Sequence, residues 1–274
     1  MQYNSTYNIH NASLGLQTEI ERLKVQALMG WDKEFRNLKW YGLENGMSVV
    51  ELGSGPGFLT QQLVNSLPDS LITALEIEKT LLDKAQNMLN HIPEDRLRFV
   101  QSSIYETRLP DESFDFAIVR LLFLHLHNPM QAAQEIFRVL KPGGKLVIID
   151  IDDGIFGAVN PDVQALPTVL KKIADHQATK GGNRYIGRSL PRLLTNAGYT
   201  DVDIDAVIQH SDIHGIEGFK LQFDINRFVG FFNNGLINQE EFDQLKSASE
   251  KISNSPDAYA MMTFVMAHGK KPEI

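Results

Sequence analysis

An apolar run that breaks into three alternate glycines, Val49-Val50-Glu51-Leu52-Gly53-Ser54-Gly55-Pro56-Gly57-Phe58, reads as a buried strand turning sharply into a helix. Glycines at such positions let the backbone reverse and let a ligand approach atoms that a Cβ would shield. A dinucleotide fingerprint requires G-x-G-x-x-G. Gly53 and Gly55 fit it, but the next required position is Phe58, and the third glycine is Gly57. The Gly-Lys-Ser/Thr of a phosphate-binding P-loop is absent. Glu51, two residues ahead of the first glycine, suits a cationic ligand better than a pyrophosphate.

The same alternation continues along the chain. Strands are predicted at Ser48–Leu52, 71–77, Leu97–Gln101, 114–119 and 145–151. Helices are predicted at Phe58–Ser66, 80–90 and Pro129–Val139. Strand–helix alternation of this kind predicts an α/β fold with a doubly wound, mostly parallel sheet. Ligands of such sheets lie beyond the carboxyl ends of the strands. Glu51, Glu76, Ser103, Arg120 and Asp150 all fall at or just past those ends. Residues 1–46 read as a helical extension, with Leu16, Ile20, Leu23, Ala27 and Leu28 at helical spacing and Trp31, Phe35, Leu38 and Trp40 continuing the apolar face. The expected plan is an N-terminal helical lid (1–46), a core (47–208), a helical insertion (209–256) and a last strand with tail (257–274). Helices are expected at 187–197, 218–234 and 238–252, the last capped by Asn238.

Composition limits the function. The net charge of −8 argues against a partner held through nucleic-acid phosphates. The absence of cysteine excludes disulfides and thiolate metal sites, and no metal site is expected. No apolar run approaches the roughly 18 residues of a membrane span. The N-terminus has neither a basic nor an apolar leader region, so a soluble cytoplasmic monomer or homodimer is expected.

The run E-L-G-S-G-P-G resembles motif I of the class I S-adenosylmethionine-dependent methyltransferases. Three further stretches carry the same resemblance. Leu109-Pro110-Asp111-Glu112-Ser113-Phe114-Asp115 resembles the lead-in to the fourth strand. Leu140-Lys141-Pro142-Gly143-Gly144-Lys145-Leu146 resembles the turn into the fifth. Tyr7…Glu19-Ile20-Glu21-Arg22-Leu23-Lys24-Val25-Gln26 resembles the opening of many bacterial small-molecule methyltransferases. The resemblance covers most of residues 7–208. It implies a seven-stranded Rossmann-like sheet and S-adenosyl-L-methionine as cofactor. It assigns Glu51 and the turn residues Gly53, Ser54, Gly55 and Gly57 to the cofactor's amino acid end, and Glu76, followed by Ile77, to the ribose hydroxyls, since a carboxylate offers two acceptor oxygens to neighbouring donors. The family's Gly-Asp-Ala at the third strand is replaced by Ser102-Ser103-Ile104. That leaves Ser103 and the Ile104 amide for the adenine. Arg120 either lines the methionine end or pairs with Asp150 or Asp152. Arg22 and Gln26, four apart on one helix face, either close over the cofactor, with Tyr3 and Tyr7 in the same lid, or face solvent.

Methyl transfer from a sulfonium needs alignment and desolvation, and a base only when the nucleophile arrives protonated. His125, Asp152 and His210 are the candidate bases, with His127, Asp150, Asp153 and His214 behind them. Arg188, in a Gly-Arg-Ser-Leu-Pro stretch that resembles the same subfamily, either binds an anionic acceptor or caps the sheet edge. Phe219, Phe223, Phe228, Phe231 and Phe232 divide between core and pocket wall, which suggests a small, largely apolar acceptor. The competing readings are a protein or tRNA methylase and a cofactor-binding cyclase or sensor that transfers no methyl group. The glycine turn alone does not separate transfer from binding.

Overall fold

A computed structural model describes residues 5–7, 9 and 15–273, with the side chains of residues 213–214, 221–222 and 253 left undescribed. Tyr3 and the His214 side chain lie outside the described residues. Eight strands form one sheet: β1 (Ser48–Leu52), β2 (Leu71–Glu76), β3 (Leu97–Gln101), β4 (Phe114–Arg120), β5 (Leu140–Asp150), β6 (Gly157–Asn160), β7 (Thr200–His210) and β8 (Tyr259–Lys270). The order is β3-β2-β1-β4-β5-β8-β6, with β7 on the other edge of β8. The first five strands run parallel and β8 runs antiparallel to β5, β6 and β7. β6 pairs with residues 259–262 of β8 and β5 with residues 265–270, so β6 prolongs the position of β5. This short strand is additional to the seven expected. β5 itself starts at Leu140 but pairs regularly with β4 only from Lys145, because the ladder shifts register between Phe114 and Phe116.

The central strands are apolar on both faces, as a parallel sheet covered on both sides requires. Val49, Phe116, Ile118, Val147 and Ile149 join one hydrophobic cluster, and Val50, Ala117, Val119, Leu146 and Ile148 join the other. Helices α1 (Leu16–Trp40) and α2 (Phe58–Ser66) cover the first face. On the second face lie α4 (Pro129–Val139) and α6 (Leu190–Asn196). α3 (Lys79–Met88) begins at a Glu78 cap. Asp115 explains the Phe-Asp lead-in to β4: its carboxylate accepts from the Ser48 amide at 2.8 Å and pairs with Lys141 at 2.7 Å, tying the starts of three strands together.

The apolar face of α1 is narrower than its sequence suggests. Ile20, Ala27, Trp31 and Leu38 are buried, and Trp31 stacks on Phe35 at 4.8 Å. Leu16 and Leu28 are exposed, and Trp40, at the helix end, is 80 % exposed. α1 buries polar residues instead, Arg22 and Glu34 among them.

The remaining helices are α5 (Leu166–Thr179), α7 (Ser211–His214), α8 (Glu217–Phe223), α9 (Asn226–Asn233) and α10 (Gln239–Asn254). The helix expected at 218–234 is two helices, broken at Asp224-Ile225, where Asp224 turns its carboxylate onto the Asn226 amide at 2.8 Å. Phe219 and Phe223 of α8 enter the core cluster that α1 covers. Phe228 of α9 instead joins Val163, Val169, Ile237, Leu245 and Ala248 in a separate cluster. α5, α9 and α10 thus form a cap with its own small core. The expected division at 208/209 does not follow this packing, since α5 lies within the stretch 47–208 yet packs with the insertion.

Candidate active site

β1 ends in the glycine turn, which is fixed to β2. The Gly53 and Ser54 amides both donate to the Leu75 carbonyl, at 2.8 and 3.0 Å. Gly55 has φ +55 and a Cβ there would meet open space. At Gly57 (φ +84) a Cβ would come within 2.7 Å of the Ala85 Cβ, so this glycine is required for α2 to pack on α3. The cradle is thus open toward Gly55 and closed toward Gly57.

Glu76 ends β2 beside this turn and is 7 % exposed. Its Oε2 accepts from the Gly55 amide at 2.8 Å, and Oε1 from the Ile77 and Glu78 amides at 2.9 and 2.8 Å. Three of about four acceptor directions of a carboxylate are therefore in use, which leaves one open on Oε2. Burial pushes its pKa up, while the amides oppose the shift. Glu51 is 2 % exposed and accepts from the Thr60 hydroxyl at 2.6 Å. Burial pushes its pKa up to about 8, with Thr60 opposing, Glu76 adding repulsion and Arg120 drawing it back. A cation placed here meets a carboxyl group ready to ionise. Ser54 Oγ is buried without a hydrogen-bond partner among the described residues. An orphan hydroxyl, an open cradle at Gly55, an open carboxylate direction at Glu76 and a buried acid at Glu51 fit a cationic, hydroxyl-bearing cofactor.

At the end of β3, the Ser103 hydroxyl accepts from the Tyr105 amide at 3.2 Å and Ile104 is buried. Ser102 donates to the Glu106 carbonyl at 2.7 Å, so this turn holds its own shape.

Arg120 ends β4. Its guanidinium forms a two-pronged pair with Glu34 of α1, at 2.8 and 2.9 Å, and donates to the Gln26 carbonyl at 3.0 Å. The two side chains are 8 % and 0 % exposed. Neither Asp150 nor Asp152 is its partner. α1 is thus latched to the sheet through Arg120. Gln209 of β7 donates to the same Glu34 at 3.4 Å. Gly30 lets this happen, because a Cβ there would fall 2.2 Å from Gln209 Nε2.

Earlier on α1, Arg22 is buried and pairs with Glu19 at 2.6 and 2.8 Å, and it donates to Gln26 Oε1 at 3.3 Å. The Tyr7 hydroxyl donates to Glu19 at 3.3 Å. Burial alone would raise the Glu19 carboxyl, but Arg22 holds it below its usual range. The Tyr7 hydroxyl is pushed up by burial and by Glu19, and it also feels Glu76. The reading in which Arg22 faces solvent therefore fails. Arg22, Gln26 and Tyr7 form one network at the carboxyl edge of the sheet.

Apart from His127 and His210, the candidate bases described are committed to partners. His125 Nδ1 lies 2.8 Å from the Thr6 hydroxyl, and lost hydration, with Arg184 and Arg22 nearby, pushes its pKa down. Burial would raise Asp152, but its ion pair with Arg188 at 2.5 Å outweighs this and holds it below its usual range. Asp153 is paired with Arg184. Asp150 is fully buried and accepts from the Leu124 and Ile151 amides at 3.1 and 2.8 Å. His210, with a buried Nδ1 that lacks a partner among the described residues, ends β7. β7 is four strand spacings from β1, or about 19 Å. His127 is exposed. Arg188 binds Asp152 rather than standing ready for an acceptor.

Sequence reasoning missed Glu34, Thr60 and Gln209. Arg22, Gln26, Gly30 and Glu34 recur every four residues, a polar stripe with one small member on α1. That stripe was the available signal for Glu34. Nothing local marked Gln209.

Residues 50–148 match the family described as "Methyltransferase domain". Among curated proteins, the demethylmenaquinone methyltransferase of Chlamydia pneumoniae is 30 % identical over 109 residues, which span 40 % of this chain and 46 % of that one. The ubiquinone/menaquinone biosynthesis C-methyltransferase UbiE of Cronobacter sakazakii is 24 % identical over 175 residues, spanning 59 % and 70 %. The chain spans about half the length of several curated relatives it matches. A Haemonchus contortus phosphoethanolamine N-methyltransferase 2, solved with phosphomonomethylethanolamine and S-adenosylhomocysteine, shares the fold at TM-score 0.57 and 18 % identity, covering 89 % of this chain and 53 % of that one. On this strand order and glycine turn, residues 50–148 match a methyltransferase domain carried on a Rossmann-like sheet.

Proposed function

We propose that this protein transfers a methyl group from S-adenosyl-L-methionine to a small organic acceptor. The observation that carries the reading is the joint placement of Glu51 and Glu76 around a glycine turn whose sequence has neither a P-loop lysine nor the third dinucleotide glycine. The matched family and the quinone C-methyltransferases among the relatives support it.

When bound, the cofactor supplies an electrophilic methyl group on a sulfonium and leaves as a neutral thioether. The chain's own residues hold and align. Glu51, which ionises more readily beside a cation, faces the ammonium end with Ser54 and the glycine turn. Glu76 would accept a ribose hydroxyl in the direction left open on Oε2. Ser103 and the Ile104 amide flank the adenine. Arg22 and Gln26, backed by Glu19 and Tyr7, cover the site from α1, and Arg120 acts indirectly by latching that helix. His125, Asp152 and His210 are each tied up or distant. The reading therefore favours a nucleophile that needs no protein base, such as a neutral amine or an already ionised oxygen or carbon.

Calorimetric titration with S-adenosylhomocysteine tests this. Binding is expected for the native protein, with affinity falling about tenfold or more in Glu76→Ala, as loss of a hydrogen bond to a buried charged group predicts. Heat on adding NAD and none with S-adenosylhomocysteine overturns the proposal.

A further inference from the structure

Two turns leave the sheet side by side at its carboxyl edge. β1 and β4 stay paired as far as Leu52 and Val119. Just beyond, Gly53 has φ +76 and Leu121 has φ +53. Glycine adopts such a backbone freely, whereas a residue with a Cβ is strained there. Among the described residues, the other non-glycine positions with positive φ are Arg108, Glu112 and Asp201, all exposed. Leu121 alone among them is half-buried, and it packs against both hydrophobic clusters of the sheet. Strained residues of this kind persist only where their surroundings hold them, and they gather at functional sites.

The restraint is at the end of β5. The Leu121 amide donates to the Ile149 carbonyl at 2.7 Å, which prolongs the pairing of β4 with β5. Three residues later the chain is caught by Asp150. This fully buried carboxylate accepts from the Leu124 amide at 3.1 Å and from the Ile151 amide at 2.8 Å. The Phe123 amide also favours its charged form. Burying a carboxylate is costly even when amides compensate it. The chain thus carries two costs at one point, an acid without water and a leucine where glycine is at ease. What they fix between them is Leu122. A Cβ on Gly53 would lie 2.7 Å from Leu122 Cδ2, so the Leu122 side chain closes over the glycine turn.

We infer that Leu121 and Asp150 form a clasp that holds Leu122 against Gly53 and so sets the wall of the cofactor cradle at its amino acid end. Both are positioning residues. Asp150 acts through the amides that follow Leu122, and Leu121 through its strained backbone. Leu122 is the part of the wall that borders the ligand. Asp150, one of the acids at the strand ends, thereby has a task other than proton transfer. The wall's part in binding rests on the methyl-donor reading, but the clasp itself does not.

Calorimetry on the full chain with S-adenosylhomocysteine and with adenosine, which lacks the amino acid end, separates positioning from general damage. Asp150→Asn leaves one acceptor oxygen where two are used. It is expected to weaken S-adenosylhomocysteine about tenfold or more and to leave adenosine binding unchanged. Adding Leu121→Gly to that variant removes the strain and is expected to recover most of the loss. Leu122→Ala trims the wall and leaves the clasp in place. It is expected to weaken S-adenosylhomocysteine and spare adenosine in the same way, and it reads the wall if Asp150→Asn fails to fold. Without any ligand, Leu121→Gly is expected to melt about 2 °C or more above Leu121→Ala, the reverse of their order at a right-handed helical position. Four results overturn the clasp alone: equal loss of both ligands in Asp150→Asn, no loss of either, no recovery in the double variant, or Leu121→Ala melting above Leu121→Gly. A native protein that does not bind S-adenosylhomocysteine overturns the cofactor reading, and the wall's part in binding with it.

Discussion

The sheet edge around the glycine turn and the helical cap solve opposite problems. At the sheet edge, most buried polar groups are satisfied within the chain, Ser54 Oγ excepted: Glu51 by Thr60, Glu76 by three amides, Asp150 by two amides, Arg120 by Glu34. A site of this kind is organised before its ligand arrives. In the cap, a small apolar cluster of its own holds α5, α9 and α10 together beside a cavity of about 400 Å³. Under the proposed function the first region would hold the cofactor; the second tolerates exchanged side chains more readily, because its small core is separate from that of the sheet. The two regions are expected to differ in cooperativity as well, the sheet melting with the whole protein and the cap opening on its own.

The latch between α1 and β4 gives the largest expected effect and asks whether α1 belongs with the core. Arg120→Met removes one member of a buried pair and strands Glu34, which is 0 % exposed. Breaking such a pair costs about 3–5 kcal/mol, and urea denaturation is expected to show it as a lower midpoint with an unchanged slope. Arg120→Met combined with Glu34→Met is expected to recover most of the loss, since no charge is then left unpaired. If the single variant loses only the cap's protection and keeps its global midpoint, α1 sides with the cap and the contrast has to be redrawn.

Next in size is the buried acid of the glycine turn. The folded pKa of Glu51 is about 8, well above its unfolded value. Between roughly pH 5 and 8 the native state therefore binds more protons than the unfolded chain, and stability falls as pH rises. Asp150, raised to about 7 by burial, contributes with the same sign. Glu51→Gln keeps a partner for Thr60 and cannot ionise. It is expected to gain on the order of a few kcal/mol over the native protein at pH 8 relative to pH 5, leaving the shallower slope from Asp150. The measurement is the urea midpoint across that range. A variant whose profile parallels the native one shows that Glu51 does not titrate there.

What could be read from the amino acids follows the same division. The strands β1 to β4 and the turns between them announce themselves locally, through apolar runs with Gly, Pro and Asp at their ends. Residues that act at strand ends, such as Glu51 and Glu76, are placed once the topology is known. The bounds of β1 to β4 fall within one residue of those read from the sequence, with β5 the exception, because it starts at Leu140, ahead of the regular pairing that begins at Lys145. The cap was not legible, because its core joins α5 to helices more than 45 residues further on. No local pattern encodes which distant apolar face a helix will meet. For the same reason Lys180 and Arg227, which line one cavity, went unremarked: one lies just past the end of α5 and the other on α9. Arg188 and Asp152 drew attention as chemistry and prove to be a pair that satisfies itself. Side-chain type indicated charge, and only the packing says whether that charge is spent.

The smallest effect tests the cap's independence most directly. Asn238 caps α10: its side chain accepts from the Glu241 amide at 2.9 Å, and its own amide donates to Glu241 Oε2 at 2.8 Å. Glu241 also pairs with Lys172 of α5 at 2.7 Å, so this cap joins two of the three helices. Asn238→Ala is expected to cost about 1 kcal/mol. If the cap opens separately, amide exchange in α5, α9 and α10 speeds up about fivefold, while β1, β4 and β5 exchange at the native rate and the global midpoint stays fixed. If exchange in the central strands accelerates by the same factor and the midpoint drops, the cap and sheet melt as one unit. The cap is then as constrained as the glycine turn, and its side chains cannot be exchanged without cost to the whole fold.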